Sequence, residues 1–268
     1  MDFKNQVVLI VGASSGMGRT LALRLAAKGA HVVATARRKD RLDTLAAEIA
    51  AQGGRCLAMA ADAQDPGAAE RLVQDTVQQL GRIDMVLLNA GGAPALDMRT
   101  MAAREVTACM RSNYDVAVNV LFPVLHQMVR QGGGLVAQTN SLAGWLGVPL
   151  QGPYSAAKGA LRLLIDTCRI EFGPQGIRFV SLYPGFVATE AVAGDGMPAP
   201  MALSEAQAVE HMLRALRREP LDYLFPRRMA WLVRLSLLLP KRWTTRLLRS
   251  EMPPLPATVR PIAGEPGP

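Results

Sequence analysis

Residues 7–29 read VVLIVGASSGMGRTLALRLAAKG: an apolar run of strand length, a G-x-x-x-G-x-G turn at Gly12, Gly16 and Gly18, then an amphipathic stretch at helical spacing. A strand running through such a turn into a helix is how a dinucleotide phosphate site is built. Gly12 allows the tight turn. The other two glycines let backbone approach a pyrophosphate and let the helix pack close to the strand, and the helix N-terminus favours the negative charge. Ser14, Ser15 and Met17, the residues between, are read as contacts of the same group.

Outward from this unit, short β-rich runs alternate with longer amphipathic stretches, the pattern of a doubly wound parallel sheet, Rossmann-like, with helices on both faces. Strands are predicted at 7–11, 31–36, 55–61, 83–88, 134–140 and 177–183. Helix ends are marked chemically. Asp40 is predicted to cap RLDTLAAEIAAQ before Gly53, Asp65-Pro66 to open a helix closing near Gly81, and Ser204 with Gln207 to form a capping box. No repeat and no linker divides residues 1–226, which read as one catalytic domain. A helical extension at 227–251 and a Pro-rich tail at 252–268, expected to be extended or disordered, follow.

Half of the 268 residues are hydrophobic, enough to bury a sizeable core. Cys56, Cys109 and Cys168 are odd in number, widely spaced and set in apolar runs, which predicts buried free thiols and a reducing compartment. With His31, His126 and His211 equally scattered, no metal is expected. MDFKNQVVLIV has neither a basic start nor a long apolar stretch, so a cytoplasmic protein is expected. The net charge of +8 is unevenly placed: Arg214 to Arg260 carries eleven basic residues against three acids, and the remainder is balanced.

Two further patterns point to chemistry. The second predicted strand ends HVVATARRKD, with Ala36 where NAD-selecting folds place an acid and Arg37 and Arg38 following. Guanidinium groups there can bind a 2′-phosphate by paired hydrogen bonds, so NADP(H) is the expected cofactor; the plain alternative is solvated loop charge. Tyr154 and Lys158, four apart, project from one helix face, with Ser141 upstream. A phenol is too weak an acid to exchange protons near neutrality, and a nearby ammonium is expected to lower its pKa. Tyr154 could then protonate a carbonyl oxygen that Ser141 holds by a hydrogen bond.

With GASSGMG, Asp62 after the third strand, LLNAGG, Asn113, Ser141, YSAAK and YPGFVAT in this order, the chain resembles the short-chain dehydrogenase/reductase family over roughly residues 5–226. The resemblance implies adenine contacts from Asp62 and Ala63, ribose-side support from Asn89, Ala90 and Gly91, and a nicotinamide end held by Pro184, Gly185, Val187 and Thr189. It also implies that Lys158 binds the nicotinamide ribose, beside Tyr154, and that Asn113 keeps a water path behind the lysine. Val11 and Leu88 stand where the family usually has Thr and Asn, which alters supporting hydrogen bonds only.

AGWLGVPLQGP before Tyr154 and EAVAGDGMPAPMA after Thr189 carry little charge, which implies a lipophilic carbonyl or alcohol, lipid- or steroid-like, as substrate. A non-catalytic NADP(H)-binding scaffold or redox sensor is the rival reading, and the complete Asn, Ser, Tyr, Lys set opposes it. Ala156, Ala160, Leu163, Thr167 and Ile170 form a second apolar side on the helix from Tyr154 to Phe172, which fits a homodimer or homotetramer. Residues 229–239, MAWLVRLSLLL, are too short to span a bilayer. Beyond Pro240, Arg242, Arg246 and Arg249 share one face, Trp243 and Leu247 another. This basic end admits three placements: a lid on the substrate pocket, a peripheral membrane contact through 227–250, or a subunit contact. Nucleic-acid binding is not expected, since no reading motif accompanies the charge.

Overall fold

The computed structural model describes residues 2–190, 199, 201–250 and 252. Seven parallel strands form the central sheet: β1 (Val7–Val11), β2 (His31–Ala36), β3 (Arg55–Ala60), β4 (Met85–Leu88), β5 (Gly134–Thr139), β6 (Ile177–Pro184) and β9 (Asp222–Phe225), in the order β3-β2-β1-β4-β5-β6-β9. A parallel pair of two-residue strands, β7 (Val187–Ala188) and β8 (Leu203–Ser204), lies outside it. The helices are α1 (Gly16–Ala26), α2 (Lys39–Ala51), α3 (Pro66–Leu80), α4 (Ala103–Met110), α5 (Val116–Arg130), α6 (Gly152–Phe172), α7 (Glu205–Arg218), α8 (Arg227–Leu238) and α9 (Lys241–Arg249).

Because side chains alternate along a strand, β1 feeds two cores at once. Val8 and Ile10 pack with Leu21 and Leu25 of α1, Leu45 of α2 and Met212 of α7. Val7, Leu9 and Val11 face Leu72 of α3, Val120 of α5 and Leu161 of α6. Both sheet faces are therefore covered, as the doubly wound expectation requires.

The six predicted strands are all present, with ends shifted by no more than two residues. The seventh, β9, begins on a polar residue and stops before Pro226, so it carries no alternation to read; it extends the sheet at β6, pairing Ser181 with Asp222 through Pro184 with Phe225. Asp65 caps α3 by accepting from the Gly67 amide, and Gly81 ends that helix in the left-handed conformation. The Ser204–Gln207 box closes reciprocally at 2.9 and 3.2 Å. Asp40 is a correction. Arg38 holds the capping position, its carbonyl accepting from the Leu42 amide, and Asp40 falls inside the first turn, where its charge still meets the positive helix end. Asn113 sits in a π-helical turn, Arg111–Asp115, between α4 and α5. The Pro-rich tail lies outside the described residues apart from Met252, as do residues 191–198 and 200 of the predicted substrate loop.

Parallel strands end together. Gly12, Asn89, Asn140 and Gly185 all follow or close the carboxyl ends of β1, β4, β5 and β6, where the strand order reverses between β1 and β4 and a crevice opens.

Candidate active site

One turn of α6 carries Tyr154 and Lys158, and the buried neighbours Ala157 and Leu161 anchor that turn to the sheet. Lys158 is 4% exposed. Its Nζ donates to the Thr139 carbonyl at 2.9 Å and stands 5.6 Å from the centre of the Tyr154 ring. Ser141 caps a short 3-10 turn at Leu142–Gly144, its Oγ accepting from the Ala143 amide at 3.1 Å. With that lone pair engaged, the hydroxyl proton is left to donate.

The electrostatics of the pair differ from the sequence expectation. Burial pushes the Tyr154 phenol up to about 12, a hydrogen-bond interaction with Ser141 acting in the opposite direction. Burial also brings Lys158 down to about 8. Spacing identified the partners but cannot report the loss of water around them, which is the largest cause of both shifts.

Asn113 is 1% exposed. Its Oδ1 accepts from the Gly92 amide at 3.0 Å, and its Nδ2 donates to the Cys109 carbonyl at 3.1 Å and to Ser112 Oγ at 3.2 Å. It thus fixes the loop after β4 to the end of α4. A β-carbon on Gly91, whose φ is +145°, would come within 2.5 Å of that same Oδ1.

Asn140 and Thr139 are site residues that motif reading passed over. Asn140 Nδ2 donates to the Lys158 carbonyl at 3.1 Å while its Oδ1 accepts from the Ser141 amide at 2.8 Å, so one buried amide sets the Ser-bearing turn against α6. Thr139 Oγ1 donates to Asn89 Oδ1 at 2.8 Å, and Asn89 Nδ2 reaches the Gly12 carbonyl at 3.4 Å. A hydrogen-bonded path therefore runs from the glycine turn to Lys158. The signal for Asn140 was its place directly before Ser141 at the end of an apolar strand.

Two cavities meet at this path. The first, about 440 Å³, is lined by Gly12, Ser14, Ser15, Gly16, Met17, Arg37, Arg38, Asp62, Ala63, Asn89, Ala90, Gly91 and Thr189 among others. Apart from Thr189, a predicted nicotinamide-end residue that borders both cavities, these are the predicted cofactor contacts of the turn and adenosine side; Gly18, predicted with them, lies beneath the turn. A β-carbon at Gly18 would meet the Gly12 carbonyl oxygen at 2.2 Å, so its task is close packing of helix on strand. Arg38 Nη2 donates to Ser14 Oγ and Ser15 Oγ at 2.9 and 2.8 Å, and Arg37 is exposed on the same wall. Glu190, paired with Arg41 at 2.7 and 3.0 Å, is held below the usual carboxylate range by Arg41, with Arg38 a smaller influence.

The second cavity, about 550 Å³, is lined by Ser141, Tyr154 and Lys158, by the predicted nicotinamide-end residues Pro184, Gly185, Val187 and Thr189, and by an apolar wall. That wall includes Leu142, Leu146, Val148 and Phe186 and, from α8, Met229, Leu232 and Val233.

Comparisons with known proteins bear on the family and the fold. The short chain dehydrogenase family matches residues 6–196. An uncharacterized oxidoreductase of Myxococcus xanthus is 32% identical over 239 residues, 89% of this chain and 94% of the relative. A fatty acyl-CoA reductase of Mycobacterium tuberculosis is 33% identical, over 82% of this chain and 76% of its own length. The crystal structure of levodione reductase superposes with a TM-score of 0.68 at 33% identity, covering 71% of this chain and 75% of that one. The chain belongs to the short-chain dehydrogenase family, whose members bind a nicotinamide cofactor, NAD or NADP, and oxidise or reduce small substrates at CH–OH or C=O groups.

The residues present fit such a cofactor. The glycine turn admits no β-carbon at Gly12 or Gly18, and Thr35 Oγ1, on the cleft wall, is buried with no hydrogen-bond partner among the described residues. Lys158 Nζ, with three donors, has given one to Thr139.

Proposed function

We propose that the protein is an NADPH-dependent oxidoreductase that interconverts a carbonyl and an alcohol on a hydrophobic, lipid- or steroid-like substrate. The observation that carries this reading is the 550 Å³ cavity in which Ser141, Tyr154 and Lys158 face a predominantly apolar wall that includes Leu142, Leu146, Val148, Phe186 and Met229. Such a wall binds a neutral lipophilic molecule and leaves a charged one unpaired. The nicotinamide cofactor supplies or accepts the hydride. Ser141 donates a hydrogen bond to the substrate oxygen, and Tyr154 delivers its phenolic proton to that oxygen as charge develops there. In the oxidation direction the same proton returns to Tyr154. Lys158 binds the ribose side of the cofactor and, when charged, favours the phenolate that proton transfer leaves behind. Asn113 acts at one remove, holding the loop at Gly91 and Gly92.

NADP(H) is preferred in this reading because Arg38, braced by Ser14 and Ser15, and Arg37 line the cleft where an NAD site would have an acid beside the ribose. The working unit is a homodimer or homotetramer in the cytoplasm, using the exposed apolar side of α6. The relatives include a fatty acyl-CoA reductase and hydroxysteroid dehydrogenases, which fits a lipophilic substrate class.

The test is NADPH and NADH oxidation against ketones and aldehydes of increasing hydrophobicity, in the wild type and in Arg37→Ala and Arg38→Ala. Turnover should rise with substrate hydrophobicity. Each arginine replacement should raise the KM for NADPH about tenfold or more and leave that for NADH little changed, since a guanidinium–phosphate pair is lost only with the phosphorylated cofactor. Equal loss for both cofactors would remove the NADP assignment, and no turnover across the panel would favour a scaffold.

A further inference from the structure

Helix α8 has two working sides. Met229 and Val233, with Leu232 at the boundary, line the apolar cavity. Trp231, Leu235 and Leu238, at i, i+4 and i+7, form the opposite side and are 69, 58 and 81% exposed. On α9, Trp243 and Leu247 are exposed together, and Arg242, Arg246 and Arg249 form the neighbouring stripe. Scattered apolar residues on a surface need no explanation, but two adjoining helices that both present tryptophan and leucine do.

Charge selects the occupant. Residues 227–250 hold seven arginines and lysines and no acid. A second copy of this chain would set its own cations against these, which opposes pairing through this face. A surface that is apolar beneath and negative at its boundary satisfies both features. The described helices include none long and apolar enough to cross a membrane, and the twelve residues of α8 reach about 18 Å against a hydrocarbon core of about 30 Å. Short amphipathic helices with tryptophan on the apolar side and arginine beside it lie in the plane of a membrane interface.

We infer that α8 and α9 dock the protein on an anionic lipid surface and turn the mouth of the cavity toward it, so that a lipophilic substrate enters from the bilayer. Leu232, which lines the cavity and is 57% exposed, and Met201, which does the same at 42%, mark that mouth. Docking stands on the surface alone, whereas entry from the bilayer rests on the carbonyl-reductase reading.

The experiment sediments the full chain with vesicles of phosphatidylcholine, with and without phosphatidylserine. Binding is expected on the anionic vesicles only, and added salt should weaken it. Trp231→Glu with Leu238→Glu should abolish it, and Arg242→Ala with Arg246→Ala should weaken it roughly thirtyfold, the loss that two interfacial cations imply. All four residues are exposed, so the variants keep the fold, which thermal melting checks. Absence of binding, or equal binding to neutral vesicles, overturns docking. In lipid-free buffer the sedimentation mass should be the same in wild type and the Trp231→Glu, Leu238→Glu variant; a fall would give this face to a second copy and also overturn it. For entry, the same variant should lose turnover of a ketone carried in vesicles and retain that of a short water-soluble ketone. Equal turnover of the vesicle-borne ketone by variant and wild type overturns entry from the bilayer. If the wild type reduces neither ketone, the reductase reading and bilayer entry fall together, and sedimentation still decides docking.

Discussion

Lys158 Nζ, with the Thr139 carbonyl oxygen 2.9 Å away, titrates near 8 because burial disfavours its charge, while the Tyr154 phenol beside it is pushed up to about 12. Carbonyl reduction by this pair needs a protonated phenol and a charged amine, so the amine is the first of the two to fail as pH rises. The kcat/KM for reduction should therefore fall through about pH 8, and a profile flat to pH 10 would contradict this. The stability consequence follows from linkage. The amine's folded-state value lies below its unfolded value of 10.5, so between about pH 8 and 10.5 the unfolded chain binds more protons and stability rises with pH. In Lys158→Met that rise should disappear from urea titrations across the window. Sequence spacing made the Tyr–Lys pair legible because four residues bring side chains to one helix face. The direction of the phenol shift was hidden, since it depends on how much water the folded chain excludes.

At the scale of elements, period and capping chemistry carried most of what could be read. Strands β1 and β4 are continuous apolar runs, the mark of strands buried on both faces, and Asp65, Gly81, Ser204 and Gln207 act where their types predict. The elements that escaped have no such mark. Strand β9 is four residues long, β7 and β8 two each, and the π-helical turn that presents Asn113 interrupts two ordinary helices without changing their composition. The role of Gly18 was legible in part: the turn pattern placed it, and the fold shows its α-carbon against the Gly12 carbonyl. Gly18→Ala forces a β-carbon to 2.2 Å from that oxygen, and backbone on both sides cannot yield cheaply. The expected cost is about 1–3 kcal/mol of stability, with a cofactor affinity lowered by the displaced turn; denaturant melts and NADPH titration of the variant measure both.

For the molecule as a whole, the described residues leave two apolar surfaces open, one on α6 and one on α8 and α9. Leu163 and Ile170 on α6 are 60 and 76% exposed, the side that the sequence pattern set aside for a subunit contact. Leu163→Glu with Ile170→Glu should give a monomer in sedimentation velocity where the wild type is a dimer or tetramer; an unchanged mass would place the contact elsewhere. The other surface, α8 and α9, was legible as a basic, apolar segment with three possible uses, and only the fold showed that Met229, Leu232 and Val233 join the cavity wall.

The central claim is that Tyr154 transfers the proton in an NADPH-dependent carbonyl reduction. Tyr154→Phe removes that proton and little else. Measured on a lipophilic ketone that the wild type turns over, it should lower kcat by about 10²–10⁴-fold while NADPH binding, followed by fluorescence titration, stays within about twofold. A variant that kept wild-type turnover would contradict the account.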